Sequence, residues 1–161
     1  MTTLNRRSRR RRLAGQALTE FALIAPFFLL LIFGIIEFGR YVYTVQVLNN
    51  AAREGARYAI VHGAESFCPS GPMPGGASNW CDPSGDKVTD AAREYTVGIV
   101  NSITFPAQTC PSSPANPCWS TSNQRGDTVT VVIQTTFTTL IPFPLLPGIS
   151  VEGSSTLVVN H

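Results

Sequence analysis

Phe21–Ile36 is a run of sixteen residues without a charge, and it follows closely on an arginine-rich tip. Arg6, Arg7, Arg9, Arg10, Arg11 and Arg12 supply six of the twelve basic side chains. From Gly15 onward the six remaining bases face all ten acids, so the body is mildly acidic. A basic tip suggests either nucleic-acid binding or membrane orientation. A nucleic-acid arm leads into a domain with further basic patches, whereas this one leads into an apolar run. The membrane reading is therefore preferred, with the arginines on the cytoplasmic side. Phe21–Phe38, as a helix, spans about 27 Å, close to the ~30 Å of a bilayer's hydrocarbon. Pro26 inside it removes one backbone hydrogen bond and is expected to kink the helix.

Three regions follow from this. Residues 1–15 form a basic cytoplasmic leader, 16–38 a transmembrane segment, and 39–161 an extracytoplasmic domain. The expected site is the cell (inner) membrane, crossed once. Helical patterning continues beyond the lipid. Tyr41, Val45, Leu48, Ala52, Ala56 and Ala59 recur at mostly three- and four-residue spacing, on one stripe. One helix from about Ala17 to about Val61 is predicted, with Gly63 as its stop.

Cys68, Cys81, Cys110 and Cys118 all lie in the outer region, among Pro, Gly and Ser. Their even number there fits disulfides in an oxidising compartment. Zinc is disfavoured, since there is no C-x-x-C pair and His62 and His161 lie far from ligand spacing. Four cysteines allow three pairings. Cys68–Cys81 with Cys110–Cys118 is favoured because each closes a short loop.

Residues 64–85 carry so many breakers that a loop without regular elements is expected. A second helix is predicted from Ser84 or Asp86, with Val88, Ala91, Ala92, Tyr95 and Ile99 as its apolar stripe. Ile103–Phe105 reads as a short strand and 106–126 as a further loop. Thr128–Thr139 alternates, with Val129, Val131, Ile133, Thr135 and Phe137 on one face and a wet face opposite. Val151–Asn160 reads as its partner strand. The apolar, proline-rich stretch 140–149 between them is read as core cover, with docking on a partner or dipping into the membrane surface as alternatives. The fold class is α+β: a long N-terminal helix, a second helix, a short antiparallel sheet and disulfide-stapled loops.

Gly15-Gln16-Ala17-Leu18-Thr19-Glu20-Phe21 is the most informative stretch for function. A carboxylate at the mouth of a membrane helix costs a few kcal/mol, so Glu20 calls for a partner. The plain alternative puts it in the headgroup zone near a leader arginine. The arrangement resembles the type IV prepilin pattern, in which a basic leader ends in Gly and a membrane peptidase cuts after it. That resemblance implies a cut between Gly15 and Gln16, with Glu20 fifth and Phe21 sixth in the mature chain. It also implies that Glu20 neutralises the new amine of a neighbouring subunit and sets axial register.

The resemblance extends through Ala17-Leu-Thr-Glu-Phe-Ala-Leu-Ile-Ala-Pro, Phe38-Gly-Arg and Asn49-Asn-Ala-Ala-Arg-Glu-Gly-Ala-Arg. Over Gly15–Tyr58 the chain is similar to the TadE/TadG-like family of pilus assembly proteins. This implies a pilin-like (minor pilin or pseudopilin) component in assembly of a tight-adherence (Flp, type IVb-like) pilus. The implied partners are membrane lipid, other pilin-like subunits, the tight-adherence machinery and a prepilin peptidase. No cofactor, metal or nucleic acid is implied. The alternative is an unprocessed, single-pass scaffold or binding protein of the envelope.

Glu37 and Arg40, three apart, are expected to pair at the outer membrane face. No nucleophile elbow, H-E-x-x-H or phosphate loop is present, so no enzyme is expected.

Overall fold

The computed structural model describes residues 4–77, 81–96, 103–110, 115–140 and 148–160, with the backbone alone for 4–14. The chain divides into two compact units, Met1–Arg40 and Tyr41–His161. Helix α1 is Leu4–Val61. It ends at the predicted residue but begins well before Ala17. Arginine and leucine are good helix formers, and a single Gly15 costs only about 1 kcal/mol, so nothing in the leader stops the helix. The helix is unbroken at Pro26. In the first unit the large apolar side chains from Leu18 to Phe38 are exposed, with Ile32 alone partly covered.

In the second unit α1 supplies Leu48, Ala51, Ala52, Ala56 and Ala59 to the core, all fully buried. Tyr41, at the start of the predicted stripe, is instead partly exposed and meets the Phe137 ring edge-on at 5.7 Å. Tyr58 stacks on His62 at 3.9 Å between ring centroids, where the helix ends. Burial, and then the negative charge of Asp82, push the Tyr58 phenol above its usual value.

Helix α2 is Asp86–Glu94, starting where its acidic first turn suggests. The Asp82 carboxylate accepts from the Asp86 and Lys87 amides at 2.8 and 3.3 Å, satisfying donors that a helix start leaves open. Val88 and Ala92 are buried as expected. Tyr95 is not. The helix closes with Tyr95 N–H donating to Ala92 O and Thr96 Oγ1 to Arg93 O, and the Tyr95 ring is left 54% exposed. Ile99 lies outside the described residues.

The sheet contains β1 (Ile103–Thr104), β2 (Cys118–Trp119), β3 (Thr128–Phe137) and β4 (Ile149–Val158). All pairings are antiparallel and β3 is central. β4 lines one edge of β3 along its whole length, from Thr128↔Val158 to Phe137↔Ile149. β1 and β2 share the other edge, opposite Gln134–Thr135 and Val129–Thr130 respectively. β3 buries Val129, Val131, Ile133, Thr135 and Phe137, as its alternation requires. The opposite face is polar, with Thr130 Oγ1 and Thr156 Oγ1 2.8 Å apart and Gln134 Nε2 donating to Ser150 Oγ at 2.7 Å. Val132 is the exception on that face, at 3% exposure.

Two expectations are corrected here. The stretch 64–85 is not free of regular structure, because Pro74–Gly76 forms a single 3-10 turn. Proline at the first position of such a turn needs no amide donor. The stretch 106–126 is not all loop, because it contains β2. Both stretches are tied down from inside by the fully buried Asn123. Its backbone accepts from Ala64 N–H and donates to Pro72 O, and its side-chain amide donates to Ser70 O at 2.9 Å. The disulfides are Cys68–Cys81 and Cys110–Cys118. Trp119 lies between Gly71 and Gly85, both at positive φ, where a Cβ on either would strike its ring. The stretch 141–147, most of the expected core cover, lies outside the described residues.

Candidate processing and assembly segment

Gly15–Phe21 lies on α1, with every side chain from Gln16 to Phe21 exposed. Helical spacing sets Gln16 and Glu20 one turn apart on one face. The Gln16 amide Nε2 donates to Glu20 Oε1 at 3.3 Å. Thr19 Oγ1 donates back to the Gln16 carbonyl at 2.7 Å, which hides its hydroxyl from an apolar surrounding. Leu18 and Phe21 stand beside them at 70% and 72% exposure. Among the described residues nothing lies within 4 Å of where a Cβ on Gly15 would stand.

Gln16 and Glu20 thus share one face at the start of the apolar run, with Gly15 just before them and Phe21 turned to another side of the helix. A neutral amide at 3.3 Å offsets little of the cost of carrying an ionised carboxylate into an apolar medium. A cation in hydrogen-bond contact is needed for that. Among the described residues Glu20 has no cationic partner.

Further along, Arg40 Nη1 and Glu37 Oε2 are 2.9 Å apart, the pairing their spacing predicts. Gly15–Val61 is long and apolar enough to cross a membrane. Beyond Tyr43 the helix changes character. At Gly55 a Cβ would stand 3.0 Å from Ala92 Cβ and 3.4 Å from Val131 Cγ1, so α1, α2 and β3 meet there. Arg53 and Arg57 flank this contact and face solvent, and Arg57 lies 3.7 Å from Glu54.

Residues 15–57 match the family described as TadE-like protein. Neither a curated protein nor a solved structure matches the chain. The TadE-like segment thus holds both halves of the design: the patch around Glu20 with its exposed apolar continuation, and the Ala51, Ala52, Gly55 and Ala56 face that receives the sheet. Its Ala-Ala-Arg-Glu-Gly-Ala-Arg stretch has a packing reason, since only small side chains fit between α1, α2 and β3. TadE-like proteins are pilus-assembly components, and the match implies involvement in assembly of a Tad pilus.

Sequence reasoning missed three residues that organise the second unit. They are Asn116, Asn123 and Gly153, whose work depends on partners 10 to about 100 positions away. Among the described residues no cluster of His, Cys, Asp and Glu could hold a metal ion.

Proposed function

We propose that this chain is a non-enzymatic, pilin-like subunit, a minor pilin or pseudopilin, in assembly of a tight-adherence pilus. The observation that carries the reading is the TadE-like segment 15–57 with Glu20 and its surroundings exposed on an apolar helix. In this reading the first unit lies in the cell membrane with its arginines in the cytoplasm, and Tyr41–His161 stands on the far side. A prepilin-type peptidase cuts between Gly15 and Gln16. Gly15 lies within α1, so cleavage requires local unwinding, and a glycine weakens a helix by about 1 kcal/mol relative to alanine. The cut removes the six leader arginines and leaves an amine on Gln16. Glu20 of one subunit pairs with that amine on the next, and this sets the axial register.

N-terminal analysis of native protein tests the cut. A start at Gln16 is the expected result. A start at Met1 or Thr2 favours an unprocessed, single-pass scaffold instead. Glu20→Ala is expected to insert normally and to impair assembly, measured as pili recovered from cells complemented with the variant. Normal piliation by that variant would remove the role given to the carboxylate.

A further inference from the structure

We propose that β4 is an interaction edge that pairs antiparallel with β4 of a second copy of the chain. The two sides of the sheet are treated differently. In an antiparallel ladder alternate residues turn their N–H and C=O to opposite edges. On the outer side of β3 those residues are Thr128, Thr130, Val132, Gln134 and Thr136, and the first four are covered. Ser120 takes Thr128, β2 takes Thr130, the Asn116 side chain takes Val132, and β1 takes Gln134.

β4 shows the reverse. Val159 N–H donates to Asp127 O at 2.8 Å, which fixes the alternation. Ser150, Glu152, Ser154, Thr156 and Val158 then turn their backbone groups outward. Among the described residues none of these groups has a partner beyond the β3 ladder. The side chains of the same five residues are exposed on the open face of the sheet.

Exposed edges are normally blunted by proline, lysine, a bulge or a very short strand. β4 has none of these. It is ten residues long, pairs without a bulge, contains no proline or lysine and carries Glu152 as its single charge. Its middle is Gly153-Ser154-Ser155, which leaves little side-chain bulk in the way of a second backbone.

A second copy is the occupant that this edge fits. With Ser154 opposite Ser154, Glu152 falls opposite Thr156 and Ser150 opposite Val158. Five pairs would exchange about ten backbone hydrogen bonds, and no like charges would face each other. The pairing is isologous, so each copy offers the same edge and the contact closes on a dimer. The proposal goes beyond the pilus reading and does not depend on it.

The test uses the full chain in detergent, with oligomeric state measured by sedimentation. The wild-type protein is expected to dimerise. Ser154→Lys and Ser154→Glu each place like charges opposite one another at the two-fold. Each should weaken dimerisation by roughly fivefold or more. Mixing the two variants should restore it, because a lysine then faces a glutamate. Ser154→Pro, which removes an outward N–H at an edge position where proline is sterically tolerated, should be monomeric and still folded, with a melting temperature that no longer depends on protein concentration. A wild-type chain that stays monomeric overturns the proposal. So does a dimer that all three variants leave intact, since it would be held elsewhere. A mixture of the Ser154→Lys and Ser154→Glu chains that associates no more tightly than either alone overturns the stated register.

Discussion

Asn116 stands in for a strand residue. Its amide accepts from Val132 N–H at 3.3 Å and donates to Val132 O, in the gap between the β2 and β1 pairings on the same edge of β3. It also donates to Pro106 O at 3.0 Å. The Val132 backbone groups are closed from solvent around a residue only 3% exposed, so losing the amide leaves them unsatisfied. Asn116→Ala is expected to destabilise the folded chain by about 1–3 kcal/mol, read from chemical denaturation. Asp127 works by charge. Its carboxylate accepts from Ser122 Oγ at 2.6 Å, Ser122 N at 3.1 Å and Thr121 Oγ1 at 2.9 Å. The Ser122 hydroxyl, the largest influence, holds its pKa below the usual carboxylate range; burial, next in size, opposes this, and Thr121 with the Ser122 and Gln124 amides adds to the lowering. A depressed folded-state value means a stabilising contribution that is present above the unfolded value of about 4. It is lost as pH falls through the folded value. Asp127→Asn should therefore reduce the acid-side slope of melting temperature against pH, and leave the slope above neutrality unchanged.

At the scale of elements, α1 meets the sheet through small residues on both sides. Ala51, Ala52, Gly55, Ala56 and Ala59 line the helix face, and Gly153 stands within β4 directly against the helix backbone. A Cβ on Gly153 would stand 2.5 Å from the Leu48 carbonyl carbon and 2.7 Å from Asn49 N. Those are backbone atoms of a long helix, which do not yield as a side-chain tip would. Gly153→Ala is expected to destabilise by about 1–3 kcal/mol through overpacking. The check is a thermal melt of the variant beside Ser154→Ala, which lies on the open face and should melt like wild type. The same logic explains why the alanine stripe is legible in the sequence but its partner is not. Helical periodicity is local and can be counted, whereas the glycine opposite is about 100 residues away. In the loops, Asn123 joins Ser70, Ala64 and Pro72 from a stretch that composition marks only as polar and irregular.

For the molecule as a whole, the two units bury their side chains very differently. Tyr41–His161 encloses a core from α1, α2 and the sheet, with both disulfides inside its own bounds. In the first unit, Leu18, Phe21, Phe27 and Phe28 are all at least 61% exposed, a surface that water does not accommodate. A fragment of residues 41–161 is therefore expected to stay soluble without detergent and to melt cooperatively. The full chain is expected to need detergent or lipid. Sedimentation and calorimetry of the fragment check this, and failure to fold would show that its core is insufficient alone.

What the residues determine by themselves is whatever depends on near neighbours. The apolar run, the end of α1 at Val61, the start of α2 at Asp86 and the alternation of β3 all follow from local spacing. So does the prepilin-like pattern around Glu20, whose chemistry is contained in seven consecutive positions. Only the tertiary structure decided that Asn116 would complete a sheet edge, that Gly153 would seat a helix and that β4 would be left with an open edge. Each of these is a meeting of backbones brought together from distant parts of the chain. Hydrophobic periodicity encodes which face turns inward, but not which segment it will meet there.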